Sequence, residues 1–211
     1  MAASRIFLDV GANTGQTLAA VIDPVFRFDV IHCFEPVRDC WKKLAEIRDK
    51  SDFPPRIVIE TFGLWNQSCQ MPVFQPGSKG AGLWKKDNGR SEETEMCRFT
   101  RASDWLRANV AARDTVFLKL NCEGAECDIL DDLLDSGEFE KVTYAMIDFD
   151  VRKIASQKHR EAELRARLEH EGIGFPRVAY SKDVMRGETH QARIKNWIRI
   201  VTTFLATGAH P

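Results

Sequence analysis

Short apolar runs alternate along the chain with longer stretches whose apolar residues recur at helical spacing. That alternation marks βαβ units and a mostly parallel sheet. Strands are predicted at Arg5–Val10, Val30–Phe34, Arg56–Glu60, Val116–Leu120 and Thr143–Phe149, with two more near Phe175–Tyr180 and Trp197–Phe204. Helices are predicted over Gly15–Ile22, over Asp39–Ile47 behind Pro36, and over Ala102–Asn109, where Ser103 and Asp104 are start signals. Glu126–Leu134 places Ile129, Leu130, Leu133 and Leu134 on one stripe, and the highly charged Lys158–Glu171 stops at Gly172. A long polar loop, Ser181–Lys195, then a last strand without a further helix predict a closing hairpin on one sheet edge. Residues 75–101 break the pattern. They are rich in Gly, Lys, Glu and Ser around an isolated Trp84, which predicts a surface hairpin or variable loop rather than a domain boundary.

Composition narrows the class. The 211 residues are 44% hydrophobic and 29% charged, which fits one globular domain over 1–211. Lys+Arg is 30 against Asp+Glu 31, so no basic surplus argues for nucleic acid. No apolar run reaches the roughly 18 residues of a membrane span, and the N-terminus lacks the apolar core of a signal peptide. The six cysteines form no C-x-x-C pair and no zinc spacing. A reduced, cytoplasmic protein without a metal is the expectation.

Candidate chemistry gathers at strand ends. The first strand runs into LDVGANTGQT, where Asp9, Gly11 and Gly15 form D-x-G-x-x-x-G on a strand-to-helix turn. Glycine there permits positive φ and close ligand approach. The spacing departs from the dinucleotide pattern G-x-G-x-x-G, because Asn13 holds the second glycine's place and the third is absent. Glu35, at the end of HCFEP, follows Gly11 by 24 positions, near the ~20-residue offset of an acidic residue that binds ribose hydroxyls. Asn121 and Glu123 end the fourth strand, and Asp148 and Asp150 end the fifth. Ligands of open α/β sheets bind outside the carboxyl ends of the strands, where strand order reverses. Polar groups on four such ends imply a nucleoside-type site.

FLDVGANTG, CFEP, the LWNQ segment and LKLNCEGAE together resemble the signature segments of the FkbM family of S-adenosylmethionine-dependent methyltransferases, from about Phe7 to Asp150. The resemblance implies a Rossmann-like class I methyltransferase fold, an α/β sheet of seven strands, mostly parallel with the last antiparallel. It implies S-adenosyl-L-methionine as cofactor, with Asp9, Gly11, Asn13 and Gly15 around its methionine part and Glu35 on its ribose. Leu64 and Trp65 fall where family members wall the adenine. The family usually reads K-[IL]-D-x-E-G-x-E, and here Asn121 stands in place of the Asp. An amide is no general base and ligates hard cations poorly, so no metal is expected.

Three functions remain open on the sequence. The first is O-methyl transfer to a hydroxyl of a small-molecule or glycan acceptor, by family association a sugar of a glycan or nucleotide sugar, with Glu123 the first candidate base and Asp148 and Asp150 the second. The structural alternative for Glu123 is helix punctuation, since an acidic residue beside a helix start favours the dipole. Glu126 fits that structural reading better than Glu123 does. Lys79 and Trp84 are candidates for a lid. The second is a catalytically weak cofactor-binding or scaffolding module, and membership of a larger multidomain or oligomeric assembly is a separate expectation. The third is a nicotinamide-dependent oxidoreductase.

Overall fold

The computed structural model describes residues 2–51, 55–78, 81–84, 93–181 and 189–207. Six strands form one parallel sheet: β1 (Arg5–Val10), β2 (Val30–Phe34), β3 (Arg56–Glu60), β7 (Thr115–Leu120), β8 (Tyr144–Ile147) and β9 (Val178–Tyr180). Their order is β3-β2-β1-β7-β8-β9. Chain order therefore reverses between β1 and β7, as in doubly wound, Rossmann-like folds. The helices are α1 (Gln16–Val21), α2 (Arg38–Asp49), α3 (Ala102–Asn109), α4 (Glu126–Asp135), α5 (Arg160–His170) and α6 (His190–Thr207).

The central strands are apolar on both faces because helices cover both. On β1, Ile6, Leu8 and Val10 pack with Leu106, Ile129, Leu130 and Leu133 of α3 and α4. Phe7 turns the other way, into a cluster with Phe117, Tyr144 and α6. A second sheet, in the order β4-β6-β5, is made from β4 (Gly63–Trp65), β5 (Cys69–Phe74) and β6 (Thr94–Arg101). Of the segment 75–101, expected as a surface hairpin or variable loop, residues 94–101 form β6, antiparallel to β5.

The C-terminal expectation is corrected. Trp197–Phe204 is helical, within α6, and β9 pairs parallel with β8, so the described residues contain neither a seventh strand in the main sheet nor an antiparallel closing hairpin. The β-branched residues of NWIRIVTTF suggest a strand, but Ile194, Trp197, Ile198 and Val201 fall at i, i+3, i+4 and i+7. All four are at most 1% exposed, with the Trp197 ring 6.2 Å from Phe7 and 5.9 Å from Phe117. Packing on an open sheet face outweighs local strand propensity here.

Candidate functional site

A cavity of about 390 Å³ opens at the carboxyl ends of β1, β2 and β7, at the reversal of strand order. One end is apolar, lined by Phe34, Val37, Leu64, Val73, Leu83 and Phe99. The other is polar, lined by Asn13, Gln16, Thr17, Lys119, Asn121 and His190. Glu35 and Glu123 also face the cavity.

The β1–α1 turn is built around two left-handed glycines, Gly11 at φ 77° and Gly15 at φ 91°, with Asn13 at φ 49° between them. The close approaches at these glycines are made by the protein itself. A Cβ on Gly11 would lie 1.9 Å from the Asn121 carbonyl oxygen, and one on Gly15 would lie 2.4 Å from Ile47 Cδ1. Every amide of the turn has a protein acceptor. Gly11 N and Ala12 N donate to Phe34 O at 3.2 and 3.1 Å, and Gly15 N donates to Ala12 O at 3.0 Å. Asn13 N donates to Glu35 Oε2 at 2.8 Å, and Thr14 N to Asn13 Oδ1 at 2.7 Å.

Glu35 is 5% exposed, and its other oxygen accepts from Val37 N at 2.9 Å. Burial pushes its carboxyl up to about 7, against the opposing pull of the Val37 and Asn13 amides. Asp9 does not line the cavity. It is fully buried, with Oδ1 2.9 Å from Lys119 Nζ, and among the described residues its oxygens make no further hydrogen bond. Lys119 Nζ also donates to Val10 O at 3.2 Å and Gly11 O at 2.8 Å. Lys119 thus makes two hydrogen bonds to the turn and an ion pair to Asp9, and this buried cation fastens the glycine turn to β7.

The β7–α4 turn carries Glu123 at φ 55° and Gly124 at φ 113°. Glu126 holds it there. This fully buried carboxylate accepts from Cys122 N at 2.8 Å, from Gly124 N at 3.1 Å and from Asp150 N at 3.4 Å. Burial pushes Glu126 up to about 7, with the Gly124 and Cys122 amides opposing and Asp150 adding to the rise. Glu123 reaches the cavity, and its carboxylate lies 3.9 Å from Lys153 Nζ. Asp148 and Asp150 lie outside the lining; they pair with Arg152 at 3.0 Å and Lys153 at 2.6 Å. Asn121 Nδ2 donates to Asp148 at 3.5 Å. Trp65 is also outside, its Nε1 donating to Asp128 at 2.9 Å, whereas its neighbour Leu64 lines the apolar end. Ala81, Gly82 and Leu83 cover the cavity, and Trp84 packs on Gly124 without lining it. Lys79 lies outside the described residues.

Two residues were not singled out in the sequence. Lys119 was marked by a lone charge inside the apolar strand TVFLKL. His190 stands one helical turn before Ile194 on the buried stripe of α6, a position visible once that stripe is read as a helix. Its Nε2 lies 2.8 Å from Thr17 Oγ1.

The strand order defines an α/β protein of Rossmann-like type, with a cavity of mixed apolar and polar lining at the reversal of strand order. No family model matches the chain, and no curated protein matches it. A crystal structure of methyltransferase FkbM from Methylobacillus flagellatus is similar at 19% identity, with a TM-score of 0.43, over 64% of this chain and 30% of that one. The chain thus spans about 30% of the length of that structure. Its family name is the one that the four sequence segments resemble; the fold described above rests on the strand order itself.

Proposed function

We propose that the protein is an S-adenosylmethionine-dependent O-methyltransferase acting on a hydroxyl, with a sugar of a glycan or nucleotide sugar as the acceptor class. One observation carries the choice of cofactor: the turn amides from Gly11 to Gly15 are all taken by protein acceptors. A dinucleotide needs such amides free to cradle its pyrophosphate at a helix N-terminus. A nucleoside cofactor without phosphate does not.

The donor set fits that cofactor. Glu35 has lone pairs left for ribose hydroxyls beside its two amide bonds, Leu64 belongs to an apolar end suited to adenine, and Gly11 and Asn13 line the polar end. Asn121 faces the same end, while Asp9 and Gly15 shape the turn from behind the lining and Trp65 braces β4. The cofactor supplies a methyl group already activated on a sulfonium. The protein's part is to orient an acceptor hydroxyl, exclude water and take the hydroxyl proton. Glu123 is the assigned base, since it alone of the three strand-end candidates faces the cavity. Asp150 supports it from the rim through Lys153, which pairs with both carboxylates, while Asp148 holds the Asn121 amide.

A nicotinamide oxidoreductase is the second reading, favoured by a fully parallel sheet in this order. The occupied turn amides oppose it. A reducing cytoplasm as the site of action fits six cysteines without a disulfide, and none of the described helices is long and apolar enough to cross a membrane. Methyl transfer from labelled S-adenosylmethionine to a panel of free, glycan and nucleotide sugars tests the activity. Glu123→Gln should slow transfer by ~10²–10⁴-fold with cofactor affinity kept. Full activity in that variant would remove the base assignment, and transfer to none of the panel would remove the sugar.

A further inference from the structure

Among the described residues, one side chain at the polar end of the cavity can become a cationic donor to a ligand. Among the described residues lining the cavity, the titratable carboxylates and bases are Glu35, Glu123, Lys119 and His190. The two glutamates carry the wrong sign for an anion. Lys119 already faces Asp9, Val10 O and Gly11 O, and the turn amides beside it are engaged. That leaves His190, brought to the cavity by the first turn of α6 and held by Thr17 of α1. With Nε2 on the Thr17 hydroxyl, Nδ1 is the nitrogen through which the ring can meet a ligand.

We propose that this end of the cavity takes the carboxylate of an amino-acid moiety on the ligand, and that His190 gains a proton as the carboxylate arrives. The proposal rests on the cofactor reading above, and assigns its amino-acid end a partner on the C-terminal helix.

The electrostatics around the ring favour such a switch. In the free protein His190 sits below the ordinary histidine range, through burial first and the Lys119 cation second, with Arg193 acting in the same direction and Asp9 and Asp148 against it. The ring is therefore neutral at neutral pH without ligand. A carboxylate placed beside it in a partly buried site favours the imidazolium. By linkage, binding then draws in a proton, and affinity falls as pH rises from the free-state value to the bound-state value, by up to about tenfold per pH unit, and levels off above it. Glu35 faces the ribose end, so any proton it exchanges accompanies a ligand with or without a carboxylate.

The test is calorimetry of the full chain at pH 7.5 in buffers of different ionisation heat. S-adenosylhomocysteine carries the carboxylate, and 5′-methylthioadenosine keeps adenine and ribose without it. The expected result is an uptake approaching one proton for the first ligand in excess of that for the second. In His190→Gln the excess vanishes and S-adenosylhomocysteine binds about 10- to 100-fold more weakly, while methylthioadenosine is unaffected. Equal proton uptake for the two ligands on the unaltered protein overturns the proposal without any variant. An excess that survives in a folded His190→Gln overturns it too. Failure of S-adenosylhomocysteine to bind the unaltered protein is a different result, which removes the cofactor reading and this proposal with it.

Discussion

At the scale of single residues, two buried carboxylates do the same work at two turns. Glu35 fixes the Asn13 and Val37 amides, and Glu126 fixes the Cys122 and Gly124 amides; burial pushes each up to about 7. A carboxyl whose folded value is raised above its unfolded one stabilises the fold fully below the unfolded value, and that contribution is lost as pH rises through the folded value. The window here runs from about 4.5 to about 7. Glu126→Gln should therefore flatten the pH dependence of stability. Between pH 4 and pH 8 the difference between wild type and variant should change by about 3 kcal/mol, the wild type losing ground as pH rises. Denaturant titrations at both pH values check this, and parallel curves for the two proteins would show that Glu126 does not titrate in this window.

The role of Glu126 was half legible in the sequence. Its place in the first turn of a helix marked it as structural, but helix dipole and capping account for little of what it does. The carboxylate reaches back to the preceding turn, a contact between neighbours in the chain that depends on the left-handed backbone at 123 and 124. The glycines were legible in conformation. Positive φ at Gly11 follows from the turn, and the sequence does not show that its missing Cβ also makes room for the carbonyl of Asn121, directly after β7 and about 110 residues away in the chain.

At the scale of elements, that contact closes the chain tightly just past the ends of β1 and β7. Gly11→Ala should cost several kcal/mol or prevent folding, because strain at positive φ adds to a clash with backbone that cannot move aside. Gly137→Ala, at φ 75° with open space around its Cβ, should cost only about 1 kcal/mol. Thermal unfolding of the two variants separates the clash from the backbone strain they share; equal shifts would contradict the close packing of β1 on β7.

The C-terminal helix is the other element with a large predicted effect. Trp197 fills the space between Phe7 and Phe117 on the sheet face opposite α4. Trp197→Ala should lower stability by about 3–5 kcal/mol. Chemical denaturation measures it, and a loss below 1 kcal/mol would mean that α6 does not cover the sheet in solution. This is also where sequence reading failed most. A run of β-branched residues after a long polar stretch suggested a final strand, and the helical stripe was obscured because two of its members, His190 and Ile194, lay in what looked like a polar loop.

At the scale of the whole molecule, the parallel α/β core was legible because each strand is a short apolar run bounded by turn signals, and β1, β2, β3 and α3 fall where those signals place them. The second sheet was not, since β5 and β6 are half-exposed and pair only through contacts distant in sequence. The site was legible as a set of strand ends. Which of them face the cavity depends on ion pairs with Lys119, Arg152 and Lys153 that turn Asp9, Asp148 and Asp150 to protein partners. The architecture alone serves either a nucleoside or a dinucleotide cofactor, and the difference rests on five backbone amides between Gly11 and Gly15. Titrating the protein with S-adenosylhomocysteine and with NAD by calorimetry tests that difference most directly. The account predicts saturable binding of S-adenosylhomocysteine and none of NAD, and binding of NAD alone would contradict it.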